Sequence, residues 1–322
     1  MERFFTSKDS DIKSLQDASK CKNTQRSTHG WIKVFSSWAE SRGFEKQIEL
    51  YEPSVLNNIL EQFYTEVRKI NGQEYEPDSL KVMLAALDRH LKDKGFPVSI
   101  ISGREFASSK NVLEGKARQL RQAGMGKKTN KAESLTDEEV NVLWDCGQLG
   151  DDNARSLMNS VWWCIVQQFG MRGRDNHYNL EIDDFSLKVD NNGRTYVHFV
   201  EGPSKTRQGG LNFKARSINP RMYAIGGARC PVRLFEAYIS KRPEELRNKG
   251  PLFLAIIDNP RSQNVWYKNS RLGKNSLSNM MKNMKQNSPL MESSCAGKNI
   301  TNHSLRKMTV RTLKSAGSKN AR

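Results

Sequence analysis

One long apolar segment, residues 154–169, constrains the fold of this chain more than any other. Its large apolar side chains recur at helical spacing with a single charge among them, Arg155, which predicts a helix buried in a core. Gly170 follows directly and is expected to end the helix. Arg172 and Arg174 come next. Planar guanidinium groups held by a buried helix suit bidentate phosphate binding, although positive charge also favours a helix C-terminus without any ligand.

The charge of the chain points to a polyanionic partner. Its 322 residues include 52 lysines and arginines against 35 acids, a formal net charge of +17 with a pI near 9.7, and we expect the excess to be spread along the chain. Nucleic acid is favoured over a membrane surface, because no apolar window reaches a spanning length and the N-terminus lacks the apolar run of a signal peptide. The five cysteines form no CxxC pair. They indicate reduced thiols in a cytosolic or nuclear protein, with no zinc or other metal site and no cofactor.

The first part of the chain is predicted to be a small helical bundle. Residues 1–26 are polar and aperiodic, which predicts a flexible basic lead-in. Residues 27–123 carry four amphipathic patterns at helical spacing, and nothing among them looks catalytic. The four predicted helices start near Thr28, Pro53, Pro77 and Glu105.

A segment rich in glycine and lysine, residues 124–133, separates this bundle from the rest of the chain. We expect its lysines, Lys127, Lys128 and Lys131, to contact the phosphate backbone of DNA. A solvated hinge or part of a weak nuclear localisation signal would explain the same residues equally well.

The second half, residues 134–322, is predicted to combine helices with a small hairpin. Thr136 and Glu139 have the spacing of a capping box, which indicates a helix start. After the buried helix the apolar period changes to two, which predicts a β-hairpin over residues 185–200. A further strand is expected near residues 214–218. The predicted fold class is therefore mainly α with a small antiparallel β-hairpin sheet.

Two further segments carry basic residues that suit DNA. The loop over residues 202–210 places Lys205 and Arg207 on a mobile turn, although an ordinary basic hairpin tip would look the same. One helix is predicted to start at Cys230-Pro231-Val232, with the proline in its first turn. Another is predicted to start at Asn275, which would cap it. The second of these helices has methionines facing inward and lysines facing outward. Its basic outer face either contacts DNA or is only solvated.

The last motif places His303 and Arg306 three residues apart at the start of a helix. Residues at this spacing share one helix face. A His-x-x-Arg sequence alone is weak, because it occurs by chance in many basic proteins.

The ordered set of motifs resembles the tyrosine recombinase, or phage-integrase-like, superfamily, and within it the eukaryotic, transposon-derived Crypton-type branch. The likeness spans roughly residues 30–316. It rests on residues 169–177, 204–210, 230–232 and 302–307. It implies a helical, SAM-like core-binding domain over residues 27–123 and a catalytic domain over residues 134–322. Together these would clamp double-stranded DNA in recombination or integration, in the nucleus and without a metal. The resemblance also implies a homo-oligomer on DNA.

The same resemblance implies a role for each matching residue. Arg172 and Arg306 would stabilise charge on the phosphate under attack. His303 would transfer or hydrogen-bond a proton, and Lys205 would protonate the leaving 5′-oxygen. Arg174 matches no assigned role in that family and is expected to contact the DNA backbone or to be structural.

The chain departs from this family at the nucleophile. The family's tyrosine follows the His-x-x-Arg helix, whereas the last of the eight tyrosines here, Tyr267, precedes it. Without a nucleophile the covalent intermediate cannot form, so we expect a DNA-binding protein with an incomplete catalytic domain that does not cleave. The alternatives are a fragment of an active recombinase that cuts and rejoins DNA through a phosphotyrosine, and a basic nucleic-acid or chromatin adaptor unrelated to recombination.

Overall fold

The computed structural model describes residues 5–126, 131–171, 177–200, 202, 220–260, 263–315 and 317. The chain divides into two compact units, Met1–Thr129 and Asn130–Arg322, and this division falls inside the predicted linker. Both units are built mainly from helices, and the second also contains two small antiparallel sheets. The predicted fold class is confirmed at this level.

The first unit is a bundle of helices around an aromatic and aliphatic core. Its helices are α1 (Asp9–Ala18), α2 (Lys22–Ser41), α3 (Pro53–Glu66), α4 (Pro77–Asp93) and α5 (Ala107–Gln122). Pro53 and Pro77 each occupy the first turn of a helix, where the missing N–H costs nothing. Phe35 of α2 and Phe63 of α3 meet edge to face with their ring centroids 5.2 Å apart.

The flexible lead-in predicted for residues 1–26 is wrong, because α1 and the start of α2 lie within it. The reason is physical. Helix α1 carries only two large apolar residues, Ile12 and Leu15, and both remain exposed, so its apolar stripe is shorter than the pattern by which a helix is usually recognised in a sequence.

The second unit contains six helices among its described residues. They are α6 (Asp137–Asp145), α7 (Ala154–Phe169), α8 (Pro231–Ser240), α9 (Lys274–Ser278), α10 (Met280–Gln286) and α11 (Asn302–Ser315). Thr136 accepts a hydrogen bond from the Glu139 backbone N–H at 3.2 Å, and the Glu139 carboxylate accepts one from the Thr136 backbone N–H at 2.8 Å. The predicted capping box is confirmed.

Helix α7 forms the centre of the second unit. Trp162 and Ile165 are fully buried, and the helix packs against α8 and α11. Gly170 follows it in the left-handed conformation, with φ +59°, which glycine adopts without steric cost. The buried helix and its glycine end are both as the sequence predicts.

Five strands form the two sheets of the second unit. The strands are β1 (Phe185–Val189), β2 (Thr195–Phe199), β3 (Arg221–Tyr223), β4 (Leu254–Ile256) and β5 (Tyr267–Arg271). In the β1-β2-β3 sheet, Phe185 lies opposite Phe199 and Val189 lies opposite Thr195, which confirms the predicted hairpin. The strand expected near residues 214–218 lies outside the described residues. Strands β4 and β5 form an antiparallel pair directly before α9.

The helix predicted to begin at Asn275 differs in two ways. Its N-cap is Gly273, two residues before the predicted cap Asn275, and it is interrupted at Asn279, so that α9 and α10 are separate. Glycine is itself a common N-cap residue, and the local sequence does not choose between it and an asparagine two positions later. Met280, Met281 and Met284 are buried as expected.

Candidate nucleic-acid interface

His303 and Arg306 line one cavity of the second unit, as their spacing on α11 predicts. This histidine cavity has a volume of about 420 Å³. Its lining residues are Met171, His177, Ser278, Asn279, Thr301, Asn302, His303 and Arg306. None of these carries a carboxylate. The ionisable groups of the lining are thus two imidazoles and one guanidinium, a set that suits an anion.

Asn302 holds the first turn of α11 against the two preceding helices. Its side-chain amide donates to the Leu277 carbonyl of α9 at 2.7 Å, and its side-chain oxygen accepts from the Met281 backbone N–H of α10 at 3.1 Å. The Thr301 hydroxyl accepts from the backbone N–H of His303 at 3.2 Å. These bonds place His303, which is exposed, at the entrance of the cavity.

Arg306 connects α11 to the end of α7. Its guanidinium donates to the Gly170 carbonyl, one of the carbonyls that a helix end leaves without an internal partner. One turn later, the Thr309 hydroxyl donates to the Gln167 carbonyl at 3.0 Å. Arg306 therefore supports the fold in addition to facing the cavity. A guanidinium has five N–H donors, and the bond to Gly170 uses one of them.

His177 is a lining residue that sequence reasoning left without a role. Its side chain is only 3% exposed, and its ring lies edge on to Trp162, with centroids 6.0 Å apart and an interplanar angle of 77°. Neither ring nitrogen has a hydrogen-bond partner among the described residues. Burial lowers the pKa of His177 to about 4, so the ring is neutral at pH 7. The only signal in the sequence was its position at the end of the motif over residues 169–177.

A second cavity adjoins the first and carries three lysines. This lysine cavity has a volume of about 360 Å³, and it shares Ser278, Asn279 and Thr301 with the histidine cavity. Its other lining residues are Lys282, Lys285, Gln286, Met291, Lys298, Asn299 and Ile300. No carboxylate lines it either. The two cavities share part of their lining and form one surface patch, and none of the described residues that line it is acidic.

The three lysines of the lysine cavity differ in their surroundings. Lys285 is buried and donates to the carbonyls of Ala296 and Lys298 at 2.7 and 2.9 Å. The Lys298 ammonium pairs with Glu139 at 2.6 Å. Lys282 is exposed on α10. It is therefore the lysine of this cavity best placed to meet a ligand from solvent.

The positive charge is concentrated in the segment that builds this patch, contrary to the expected even spread. Residues 259–322 contain thirteen lysines and arginines and a single acid, Glu292. They supply twelve of the seventeen net positive charges, which leaves +5 for residues 1–258. Counting charge in windows along the sequence would have revealed this asymmetry.

The structure tests only part of the predicted set of binding residues. Six of them lie outside the described residues: Lys127, Lys128, Arg172, Arg174, Lys205 and Arg207. Lys131 is described and exposed. His303 and Arg306 are thus the predicted residues that the described structure brings into one cavity.

Two general properties of the described residues bear on the expected partners. Within them, no cluster of three or more His, Cys, Asp or Glu side chains is arranged to hold a metal ion. No helix in the same part of the chain combines the length and apolar character needed to cross a bilayer.

Comparison with known protein families finds a match in the second unit. The model of the family DUF3504, described as a domain of unknown function, matches residues 134–286, just under half of the chain. The matched segment runs from the start of the second unit to the end of α10. It includes α7 and the hairpin and ends before α11.

Individual relatives cover most of this chain at low identity. The human protein named uncharacterized protein KIAA1958 is 29% identical over 85% of this chain and 39% of its own length. Human zinc finger MYM-type protein 2 is 21% identical over 82% of this chain and 21% of its own length. Human transcriptional regulator QRICH1 is 18% identical over 78% of this chain and 36% of its own length. The chain thus spans about two fifths or less of each relative.

These comparisons overturn the resemblance to tyrosine recombinases and their Crypton-type branch. The matching family and relatives bear the names of a domain of unknown function, of zinc finger proteins and of a transcriptional regulator, and none points to a recombinase. The resemblance was built on short stretches of Gly, Arg, Lys and His, which recur readily in a chain with 52 lysines and arginines. Several expectations rested on this resemblance alone and lose their support. They are the strand-cleavage roles, the incomplete catalytic domain, the DNA clamp and the homo-oligomer.

Proposed function

We propose that the second unit binds the phosphate backbone of double-stranded DNA, and that the chain works in the nucleus. The observation that carries this proposal is the patch formed by the histidine and lysine cavities. It is built largely from residues 259–322, where thirteen cations accompany one acid, and among the described residues no carboxylate lines either cavity.

Such a surface suits DNA because each strand presents a phosphate every 3.4 Å or so along the helix axis. A lysine or arginine that neutralises a phosphate releases a condensed counterion, and this release supplies the sequence-independent part of the binding free energy. Because the two cavities share Ser278, Asn279 and Thr301, we place one DNA strand across both. His303 and Arg306 contact phosphate in this proposal, and the DNA contacts predicted for Lys131, Arg174 and Arg207 of the second unit belong to it as well. The contacts predicted for Lys127 and Lys128, at the end of the first unit, would extend it.

The names of the relatives support a role at DNA. Zinc finger MYM-type protein 2 and transcriptional regulator QRICH1 align with about four fifths of this chain. A transcriptional regulator works where DNA is, which favours the nucleus. Binding through the backbone alone does not choose a sequence.

The proposal is tested by the salt dependence of binding. The full chain is titrated against a fluorescent duplex of random sequence between 50 and 200 mM NaCl, and anisotropy gives the dissociation constant. Each phosphate contact contributes about −0.9 to the slope of log K against log salt. Lys282→Gln should reduce that slope by about 0.9 and weaken binding for duplexes of any sequence.

Lys188→Gln is the matched control. Lys188 is an exposed lysine of the same unit, on β1, and it lines neither cavity. Its replacement removes the same charge and should leave the slope unchanged. Equal affinity at low and high salt would refute DNA-backbone binding, and equal losses in the two variants would refute the location of the site.

A further inference from the structure

We propose that the imidazole of His177 binds a phosphate oxygen at the base of the histidine cavity. This inference rests on the proposed function and names the group within the patch that receives the anion. The ligand class is a phosphate ester or free phosphate.

The first step of the argument is the unused hydrogen-bonding capacity of the ring. His177 is buried, yet neither of its nitrogens has a partner among the described residues. Buried polar groups are nearly always hydrogen-bonded, and one without a partner calls for an explanation. The ring lines the histidine cavity, so a molecule that enters the cavity can supply the missing partner.

The second step is the chemistry of the ring. A neutral imidazole carries one N–H donor and one acceptor nitrogen in either tautomer. Its edge-on contact with Trp162 orients the ring plane, so the donor is held in place before a ligand arrives. A donor placed in advance loses little conformational freedom on binding.

The third step is the charge of the neighbours. The groups that line the cavity with His177 are the exposed imidazole of His303, the guanidinium of Arg306, and side chains that carry hydroxyl or amide groups or, in Met171, a thioether. Because the described part of this lining contains no carboxylate, an anion is favoured over a cation. A phosphate held between His303 and Arg306 would bring an acceptor oxygen to a buried donor that lacks one.

The test compares two variants of the full chain in the duplex titration described above. His177→Phe keeps a flat ring and removes both nitrogens, whereas His177→Gln keeps an N–H donor. We expect His177→Phe to weaken duplex binding about tenfold, the effect of losing one hydrogen bond to a charged acceptor. Its salt slope should match that of the wild type, because no charge is lost. His177→Gln should retain most of the affinity.

A structural role would give another pattern. Circular dichroism follows thermal unfolding of both variants, and His177→Phe should be at least as stable as the wild type, because a buried polar group without a partner is removed. Wild-type affinity in His177→Phe overturns the inference, as does weaker binding in parallel with a lower unfolding midpoint in both variants. Salt-dependent binding that His177→Phe leaves intact would spare the proposed function, whereas wild-type protein that shows no such binding would refute both.

The source of the phosphate is distinguished by a direct probe. Ring-proton NMR signals of His177 are assigned by their loss in His177→Gln, which also keeps the inference testable if the phenylalanine variant does not fold. A shift on addition of duplex alone identifies the DNA backbone as the ligand. A saturable shift with inorganic phosphate at constant ionic strength identifies a free phosphate site. No shift with either overturns the inference.

Discussion

Arg242 is the most deeply buried charged group described in this chain, and its replacement gives a sharp test of what holds the second unit together. Its side chain is fully buried. The guanidinium donates to the carbonyls of Leu246 at 2.8 Å, Leu252 at 2.7 Å and Pro251 at 2.9 Å, with a longer bond of 3.3 Å to Lys249. These bonds hold the loop that leads into β4, the strand that pairs with β5 ahead of α9 and α10.

The expected cost follows from the carbonyls that Arg242→Met would leave. The Leu252 carbonyl keeps a hydrogen bond from the Tyr238 hydroxyl at 2.7 Å, and Lys249 is exposed, so water can replace the lost donor there. The carbonyls of Leu246 and Pro251 remain. At roughly 1.5 kcal/mol for each bond to a charged donor, the free energy of unfolding should fall by about 3 kcal/mol. Methionine fills much of the same volume and limits any added cavity cost.

Urea unfolding of the full chain, followed by tryptophan fluorescence, measures this change. Four of the six tryptophans lie in the second unit, namely Trp144, Trp162, Trp163 and Trp266. With a urea m-value of about 2 kcal/mol/M, the midpoint of the second unit should fall by about 1.5 M. Arg247→Ala, at an exposed arginine of the same loop, should change the free energy of unfolding by less than about 0.5 kcal/mol. A wild-type midpoint for Arg242→Met would refute the reasoning.

Two further changes test the capping box and the end of α7. Burial by itself would raise the pKa of Glu139, but hydrogen bonds from Lys298 and the Thr136 backbone N–H outweigh it, so the net pKa lies below the ordinary 4.5. The stabilisation by the Glu139 carboxylate is therefore complete above about pH 4.5 and is lost as the pH falls through the lowered folded-state pKa. Glu139→Gln should lower the free energy of unfolding by about 1 kcal/mol at pH 7 and by almost nothing at pH 2. Equal urea-midpoint shifts at both pH values would contradict this. Gly170→Ala should lower the free energy of unfolding by about 1 kcal/mol in the same assay. The backbone φ is +59°, which disfavours alanine, whereas an added Cβ meets no described atom within 4 Å. A loss of several kcal/mol would show a steric role instead.

Local pattern was a reliable guide wherever one element carried its own signal. The apolar period of residues 154–169 identified α7, the alternation over residues 185–200 identified the hairpin, and Thr136 with Glu139 marked the start of α6. Each of these features depends on residues only a few positions apart. Helix α1 escaped notice because its apolar stripe consists of only two large residues, Ile12 and Leu15.

The functional interpretation was less secure, because short motifs rich in Arg, Lys and His are poor guides to family in a basic chain. The set that included His303 and Arg306 led to the tyrosine recombinases, and the comparison with DUF3504 and its relatives overturned that assignment. One structural feature of the motif remains. His303 and Arg306 lie on one helix face and line a cavity whose described lining contains no carboxylate.

By itself, the sequence determined the helices and strands with periodic apolar faces, the excess of positive charge and the shared face of His303 and Arg306, since all of these follow from composition or from short spacings along the chain. The tertiary structure alone brought His177, which is 126 positions before His303, into the same cavity. It also decided that this ring is buried without a hydrogen-bond partner among the described residues and that the lysine cavity adjoins the histidine cavity. Contacts between distant segments depend on how α7, α9, α10 and α11 pack, and no local spacing encodes that arrangement.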